Sequence, residues 1–349
     1  MNQTHNHLRC AERNKNEFSD YCCVGRPMSI LEPSAIKTER AALRAKQLSE
    51  HFEMTIKVGV IGLGNMGGGM AATLASKGFD VSGFDLSAAA LSAAQSKGVK
   101  PVTDRTALIQ QVDVLILSLP KAEHVEAVCL GADGILAQGN RGLIVVDTTT
   151  STPEASRKVA AALAEKGIGF IDAPVSGGPK GAATGTMSMV IGAEDEDLAK
   201  VMPVLEGMSG TRVHVGKCGA GNVAKIANNM LAACHLISTA EAVSMAAKAG
   251  VDPEKLMLGL NAGSGRSGAT QVMFPTWVLN KTYNSGFTMG LMRKDVGLAT
   301  DLAASLDLDL PLARIVAQLW AASSETLPDG EDFNCIVQRT DAQLFGKGE

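Results

Sequence analysis

The chain has 349 residues, of which 46% are hydrophobic and 19% are charged, and its formal net charge at pH 7 is −4. This length suits about two domains with well-packed cores, and the weakly acidic balance gives no reason to expect nucleic-acid or membrane-surface binding. Seven cysteines are an odd number without metal-ligand spacing, and no apolar run reaches the roughly 18 to 20 residues that cross a bilayer. We therefore expect a cytoplasmic protein with reduced thiols and no metal site.

Residues 1–53 differ from the rest of the chain, because they are polar and carry charges of both signs. They contain one credible helix, which starts at Ser34. Met54 directly precedes the apolar run TIKVGVIGLG. One interpretation is a poorly ordered extension, or an upstream start codon with Met54 as the working first residue. The other interpretation is a regulatory or targeting arm.

Short apolar runs alternate with helical stretches over residues 56–216. The runs that predict strands are IKVGVIG, FDVSGFD, VDVLILSLP, LIVVDT, IGFIDAPV, TMSMVIG and RVHVG. The helices predicted between them begin near Asn65, Ser87, Lys121, Pro153 and Glu194, and a glycine-rich loop follows IGFIDAPV. This alternation predicts an α/β fold with a Rossmann-type, doubly wound and mostly parallel sheet.

The β signal disappears after Gly221, and the rest of the chain reads as helix. One long connecting helix is predicted over Asn222–Ala249, ended by Gly250, and further helices over Asp252–Asn261, Thr270–Leu279, Met289–Ser305 and Pro311–Ser324. We therefore expect a dinucleotide-binding domain over residues 54–218 and an all-α substrate and oligomerisation domain over residues 219–349. Ligands are expected between the two, at the carboxyl ends of the strands.

Residues 62–67 read GLGNMG and match G-x-G-x-x-G, directly after a predicted strand and at the start of a predicted helix. Gly62 is expected to allow a tight turn, Gly64 to let the backbone approach a pyrophosphate, and Gly67 to let the helix pack on the strand. The amino end of the helix would stabilise the phosphate charge. A glycine-rich turn without a ligand is the alternative. We assign six residues to this cofactor site: Gly62, Leu63, Gly64, Asn65, Met66 and Gly67.

Asp85 ends the second predicted strand, 18 residues beyond Gly67. A carboxylate there can accept hydrogen bonds from both ribose hydroxyls of NAD, and it would repel the 2′-phosphate of NADP. No arginine follows at Leu86 or Ser87 to bind such a phosphate. The sequence therefore favours NAD over NADP.

The glycine-rich segment 172–186 reads DAPVSGGPKGAATGT and follows a predicted strand. The Ser176 hydroxyl and the N–H groups of Gly177 and Gly178 are candidates to bind an anion such as a carboxylate. A tight turn that only closes the sheet is the alternative reading.

Lys225 lies in GAGNVAKIANNM near the start of the long helix, among small apolar residues. Asn229 projects from the same face one turn later. A lone helical lysine is usually a solvated side chain, but this one is expected at the mouth of the nucleotide cleft. Because a desolvated lysine has a lowered pKa, it can exchange a proton with a substrate oxygen during hydride transfer.

These motifs together resemble a known family. GLGNMGGGMA, DAPVSGG, GAGNVAKIANN and GLMRKDVGLA occur in this order, and at similar intervals, in the β-hydroxyacid dehydrogenases. The resemblance covers residues 54–345 and excludes residues 1–53. It implies a dehydrogenase of small 3-hydroxy acids, or a reductase of the matching semialdehydes, that forms a homodimer or homotetramer.

The resemblance also implies roles for particular residues. Lys225 matches the family's catalytic lysine, and Lys294 in MRKD matches a lysine that reaches the cofactor. His124 stands where several members place an asparagine against the cofactor, although it could equally be an exposed histidine. Residues at substrate-binding positions are Ser176, Gly177, Gly178 and Asn229. Residues that line the nicotinamide and its ribose are Leu119, Pro120 and Thr150.

Two further residues have open alternatives. Arg266, in a segment resembling the SGR loop of 3-hydroxyisobutyrate dehydrogenases, would neutralise a second acidic group or cap a helix. Phe333 would approach a substrate pocket, often that of a neighbouring subunit, or belong to the core. An aromatic residue usually follows SGR shortly afterwards, and Gly268-Ala269 here departs from that pattern, which leaves the substrate open.

Several functions therefore compete. The leading one is a 3-hydroxyisobutyrate dehydrogenase-like enzyme with a small carboxylate substrate, and reductases of tartronate semialdehyde or succinic semialdehyde are alternatives. A non-catalytic NAD-binding interaction module belongs to a different class, but such relatives lack the catalytic lysine and this chain keeps Lys225. Imine reductases usually replace that lysine as well.

Overall fold

The structure is a computed structural model and describes residues 56–347. The helix predicted from Ser34, and the interpretations of residues 1–53, lie outside the described residues.

One sheet contains nine strands within residues 56–347. Its order is β3-β2-β1-β4-β5-β6-β8-β7, and β9 pairs with β8. The first six strands in this order are mutually parallel, whereas β8 is antiparallel to β6 and β7 and parallel to β9. The strands are Lys57–Ile61 (β1), Asp80–Phe84 (β2), Lys100–Pro101 (β3), Val114–Leu117 (β4), Ile144–Asp147 (β5), Gly169–Asp172 (β6), Val175–Ser176 (β7), Met187–Gly192 (β8) and Ser209–Gly216 (β9).

Helices cover both faces of this sheet. They are Asn65–Ser76 (α1), Ala88–Gln95 (α2), Arg105–Gln111 (α3), Ala122–Leu130 (α4), Ile135–Gln138 (α5), Pro153–Ala164 (α6), Gly178–Thr184 (α7) and Asp195–Met208 (α8). Alternate residues of each strand enter opposite cores: Val114 and Ile116 of β4 join one cluster, and Leu115 and Leu117 join the other. The predicted Rossmann-type architecture is confirmed.

The second half of the chain is helical, as predicted, and has its own core. Its elements are Ala220–Lys248 (α9), Pro253–Ala262 (α10), a π-helix over Ala269–Val278, Met289–Ser305 (α11), Pro311–Ala322 (α12), two 3₁₀ segments over Ser323–Glu325 and Phe333–Arg339, and Ala342–Phe345 (α13). Phe274, Trp320 and Phe345 are fully buried in this core.

Two predicted segments differ in detail from the structure. Residues 270–279 were expected as a regular helix but form a π-helix, in which the Leu279 N–H donates to the Phe274 carbonyl at 2.9 Å. Pro275 lies inside it, and because proline has no N–H and crowds the carbonyl four residues earlier, a regular α-helix is disfavoured there. Residues 178–184, expected as loop, form α7 with a proline in its first turn.

Helix α9 is long and apolar enough, by length and composition, to cross a membrane, with an 18-residue window of mean hydropathy 1.4. The window average tolerates scattered polar residues such as Lys225, Asn229 and Glu241, which interrupt the apolar run in this helix. A core helix has the same composition. Here α9 is the central helix of the helical half, and its buried polar side chains Asn222, Lys225 and Asn229 bond to other polar groups of the protein.

Candidate active site

The glycine loop between β1 and α1 has the shape that its sequence predicts. A side chain at Gly62, whose φ is +93°, would place its Cβ 2.2 Å from the Ser118 carbonyl oxygen. A Cβ at Gly67 would lie 1.8 Å from the Gly62 carbonyl oxygen, so α1 can approach the strand only with glycine there. At Gly64 a Cβ would meet no protein atom within 4 Å. The first and last glycines therefore serve packing, and the middle one faces open space.

The amino end of α1 fits a dinucleotide pyrophosphate. Gly64 is its N-cap, no side chain caps the helix, and its first turn contains no acidic residue. Free N–H groups and the positive end of the helix dipole therefore face the open space beside Gly64. Of the other loop residues, Leu63 is buried, Met66 is half-buried and Asn65 is exposed. We expect this loop to hold the pyrophosphate of NAD.

Asp85 lies directly after β2 and beside the glycine loop. Its Oδ2 accepts a hydrogen bond from the Leu63 N–H at 2.6 Å, and its Oδ1 accepts one from the Ser87 N–H at 2.8 Å. These bonds hold the carboxylate in place, and each oxygen keeps a lone pair for a ribose hydroxyl.

The other predicted cofactor positions follow β4 and β5, which continue the sheet from β1 at the point where strand order reverses. The Leu119 N–H donates to Thr149 Oγ1 at 3.1 Å, and Pro120 beside it is exposed. The Thr150 carbonyl accepts a bond from Lys294 Nζ at 3.2 Å. His124 is exposed in the first turn of α4. These residues thus lie at the carboxyl-terminal edge of the sheet.

The loop from Ser176 to Gly178 adopts a conformation that requires glycine. Gly177 has a φ of +123° and Gly178 a φ of +61°, which side-chain-bearing residues rarely adopt. The turn leaves Ser176 half-buried, and its Oγ accepts a hydrogen bond from Lys225 Nζ at 2.9 Å. The predicted anion loop and the predicted lysine are therefore in direct contact.

Lys225 is buried, with 6% of its surface exposed. Burial lowers the pKa of its amine below 10.5, and the neighbouring Lys294 charge lowers it further, whereas Asp295 acts in the opposite direction. The only hydrogen bond found for the amine within residues 56–347 goes to a neutral hydroxyl. This environment favours a lysine that releases its proton more easily than an exposed one.

Asp295 contacts Asn229 and Lys294, and its charge acts on Lys225. The sequence analysis did not identify Asp295 as a site residue. Its Oδ2 accepts a bond from Asn229 Nδ2 at 2.6 Å, and Lys294 Nζ lies 3.3 Å from its Oδ1 without hydrogen-bond geometry. Since a carboxylate can only accept, it orients the Asn229 amide with the NH₂ group toward itself. The sequence signal for Asp295 is the MRKD motif, which is flanked by apolar residues. The family resemblance assigns a role only to Lys294 in this motif.

Two family patterns match the chain. Residues 57–216 match the NAD binding domain of 6-phosphogluconate dehydrogenase, and residues 219–340 match the family described as NAD-binding of NADP-dependent 3-hydroxyisobutyrate dehydrogenase. The chain is 38% identical to 3-hydroxyisobutyrate dehydrogenase of Pseudomonas aeruginosa, over 80% of this chain and 96% of that protein. The chain belongs to the β-hydroxyacid dehydrogenase family.

Other similar proteins agree. 2-(Hydroxymethyl)glutarate dehydrogenase of Eubacterium barkeri is 35% identical over 82% of this chain and 95% of its own length. The structure of Mycobacterium tuberculosis 3-hydroxyisobutyrate dehydrogenase with L-serine matches at a TM-score of 0.77 and 33% identity, covering 82% of this chain and all of that one. This β-hydroxyacid dehydrogenase is accordingly an NAD-dependent enzyme that acts on CH–OH groups. The predicted family, fold and enzyme class are confirmed, and the roles of individual residues stay predictions.

The two residues with open alternatives differ in their burial. Arg266 is exposed between α10 and the π-helix, and no ion pair of its guanidinium is found within residues 56–347. Phe333 is buried in the helical core of this β-hydroxyacid dehydrogenase, edge-to-face with Phe287 at 5.4 Å. Within one chain, Phe333 is thus a core aromatic.

The glycine geometry predicts opposite outcomes for two alanine substitutions. Gly64→Ala should leave the melting temperature unchanged, because its φ of −61° suits alanine, but should weaken NAD binding by about tenfold or more, because the methyl group occupies the space beside the pyrophosphate. Gly67→Ala should lower the free energy of unfolding by about 1–3 kcal/mol or more, because the new Cβ would lie 1.8 Å from the Gly62 carbonyl oxygen. Calorimetry measures the stability of both variants, and titration with NAD measures their affinity for the cofactor. Equal NAD affinity in Gly64→Ala and wild type would contradict the assigned pyrophosphate position.

The charge arrangement around Lys225 also gives a signed prediction. Asp295→Asn removes a negative charge that raises the pKa of Lys225, so this pKa should fall further and the neutral amine should form at lower pH. An NMR titration of the isotope-labelled lysine side chain measures the shift. Asp301→Asn, an exposed change on the same helix, is the control and should leave the titration unchanged. A higher pKa in Asp295→Asn would refute this electrostatic account.

Proposed function

We propose that this enzyme interconverts a small 3-hydroxy acid and its semialdehyde, with Lys225 as the general acid and base. The observation that carries the proposal is the buried amine of Lys225, which contacts Ser176 at 2.9 Å and has no directly hydrogen-bonded carboxylate among the described residues. Because burial lowers the pKa of this amine, it loses its own proton more easily than an exposed lysine and can then accept a hydroxyl proton.

The names of similar proteins narrow the substrate class. 3-Hydroxyisobutyrate, 2-(hydroxymethyl)glutarate and L-serine all contain HOCH₂–CH(R)–COO⁻, in which R is a methyl, a carboxyethyl or an ammonium group. The alcohol and the carboxylate are constant, and only R varies. We propose the same unit, a 2-substituted 3-hydroxypropanoate, as the substrate of this chain.

The site offers one group for each constant part of that unit. We propose that the N–H groups of Gly177 and Gly178, with the Ser176 hydroxyl, bind the carboxylate; the contact of Ser176 with Lys225 supports this. The Asn229 amide, held by Asp295, orients the alcohol without adding charge. A carboxylate bound there also gains from the nearby Lys294 ammonium group, whose charge acts on Lys225 as well.

Proton transfer follows from this arrangement. NAD, when bound, supplies the hydride acceptor. In oxidation, the neutral amine of Lys225 takes the proton of the substrate hydroxyl while the C–H bond of the same carbon breaks and the carbonyl forms. In reduction, the ammonium form of Lys225 returns that proton to the carbonyl oxygen. Burial keeps the amine away from bulk water during the transfer.

NAD is proposed as the preferred cofactor over NADP. Both oxygens of Asp85 are fixed by backbone N–H groups beside the glycine loop, which leaves a negative charge where a 2′-phosphate would bind. The exposed Leu86 that follows has no charge to offset this repulsion.

A substrate panel tests the proposal. Purified enzyme should reduce NAD with at least one of 3-hydroxyisobutyrate, 2-(hydroxymethyl)glutarate and L-serine, and more slowly reduce NADP. Lys225→Ala should abolish turnover, with NAD affinity preserved, because the dinucleotide loop is separate. 4-Hydroxybutyrate reports the succinic semialdehyde alternative, which lies outside this class, and glycerate, in which R is a hydroxyl group, reports the tartronate semialdehyde alternative, which lies within it. Full turnover in Lys225→Ala would rule out the proposed role of the amine, and NAD binding without turnover of any compound would favour a non-catalytic module.

We also propose a homodimer or homotetramer, assembled through the helical half. Helix α12 buries Ala313, Val316 and Trp320 on one face. The adjacent face, about 100° around the helix, exposes Leu312, Ile315 and Leu319 at 62%, 53% and 42%. A helix that is apolar on two faces usually has a partner on each, and a second copy of this chain would cover the outer one.

Light scattering after size exclusion should therefore give two or four times the mass of one chain. Ile315→Glu places a charge on the exposed apolar face and should shift the population toward monomer. Ala93→Glu, an exposed change on α2, is the control and should not alter the mass. A monomeric wild type at micromolar concentration would refute the assembly.

A cytoplasmic location is proposed as well, supported by the four free thiols within residues 56–347. Similar proteins from Mus musculus and Homo sapiens are named mitochondrial, so fractionation of cells that express the full chain is the test. Recovery in an organelle fraction would overturn the proposal.

A further inference from the structure

Asp172 is a buried carboxylate that joins the sheet to the start of helix α9. It ends β6 and is fully buried. Its Oδ1 accepts a hydrogen bond from the Gly219 N–H, and its Oδ2 accepts one from the Asn222 N–H, both at 2.7 Å. These two N–H groups lie at the amino end of α9, so one side chain satisfies two backbone donors that the helix cannot pair internally.

Two glycines make room for this carboxylate. A Cβ at Gly192, the register partner of Asp172 on β8, would lie 2.3 Å from Asp172 Oδ1. A Cβ at Gly221 would lie 2.5 Å from the Asp172 carbonyl oxygen and 2.9 Å from Oδ2. The close approach of α9 to β6 and β8 therefore depends on residues without side chains on both sides of the carboxylate.

Asn222 extends the same connection toward β5 and α6. Its Oδ1 accepts a bond from the Ser151 N–H at 2.9 Å, and its Nδ2 donates to Ser156 Oγ at 3.0 Å. Asn222, Ser151 and Ser156 are all buried. The start of α9 is thus tied to two strand ends by hydrogen bonds shielded from water.

The positions of these bonds along the chain link them to the site. Ser176 lies four residues after Asp172, and Lys225 lies three residues, about one helical turn, after Asn222. We propose that Asp172 is a positioning residue, which sets the distance between Lys225 and Ser176 by holding the start of α9 against the end of β6. This inference rests on the proposed role of Lys225.

The ionised form of Asp172 is the one that can accept both N–H groups. Burial raises its pKa to about 6, although the two amide bonds oppose this rise. Protonation converts one acceptor oxygen into an O–H donor, so one bond is lost as pH falls through about 6. The groups that face this carboxylate are Asp147 on β5, Cys218 beside Gly219, and Arg157 on α6, whose charge acts on Cys218.

Asp147 provides a matched control. It is the register partner of Asp172 on the adjacent strand and is equally buried. Its Oδ1 accepts only the Thr149 N–H, at 3.0 Å, and its Oδ2 has no hydrogen-bond partner. Burial raises its pKa to about 7, so asparagine closely mimics its protonated form. Among residues 56–347, no hydrogen bond joins the Asp147 side chain to α9 or to Lys225.

The test compares Asp172→Asn with Asp147→Asn. An asparagine at 172 presents one NH₂ group to an N–H donor, so one bond at the start of α9 is lost. We expect kcat to fall about 10- to 100-fold in Asp172→Asn with the KM for NAD unchanged, and to stay near wild type in Asp147→Asn. In the reductive direction, in which low pH favours the working ammonium form of Lys225, wild-type kcat should decline as pH falls through about 6. This decline should persist in Asp147→Asn and be absent from Asp172→Asn. Unchanged kcat in Asp172→Asn, or an equal loss in both variants, would overturn the proposal.

Hydrogen exchange gives a readout that does not require turnover. Amides of residues 219–229 should exchange faster in Asp172→Asn than in wild type, and those of α1 should not change. If Asp172→Asn does not fold, wild-type exchange measured at pH 5 and pH 7, corrected for the intrinsic pH dependence of exchange, should show the same local change, because protonation of Asp172 removes the same bond. Unchanged exchange over residues 219–229 would refute the proposal, whereas a wild type without activity on any substrate would refute only the proposed function.

Discussion

The hydrogen bond between Lys225 and Ser176 joins the helical half of the chain to the sheet. The lysine is on the first turns of α9, and the serine ends β7, the short strand after β6, so the 2.9 Å bond between them depends on how α9 joins the sheet. An amine buried at this junction, with a neutral hydroxyl as its direct partner, has a lowered pKa. The anion loop and the helical half keep that amine buried and in place.

Three buried carboxylates around this junction have different environments, and the differences decide what each can do. Asp295 faces two lysines and an amide, so it acts through its charge. Asp172 accepts hydrogen bonds from two backbone N–H groups and so holds the start of α9 against the end of β6. Asp147 faces one N–H group and has an unpaired oxygen, and burial raises its pKa to about 7. Residue type alone does not distinguish these three roles.

Local pattern was sufficient for the elements whose signal is local. The alternation of apolar runs and helices predicted the sheet, because parallel strands are buried on both faces and read as continuous apolar runs. GLGNMG predicted a tight turn into a helix, and the structure shows that Gly62 and Gly67 have no room for a side chain. Two segments differ from the prediction: proline disfavours a regular helix around Pro275, and the glycine-rich sequence after Gly177 reads as a loop although it forms a short helix.

The sequence by itself determined the fold class, the family, the cofactor loop and the candidates Lys225, Asn229 and Ser176, because each lies in a short motif with its own spacing. Only the tertiary structure decided that Lys225 touches Ser176, 49 residues away, that Asp295 holds Asn229, 66 residues away, and that Asp172 caps α9. It also placed Phe333 in the core. The physical reason is that burial and hydrogen-bond partners come from contacts between distant segments, which no local spacing specifies.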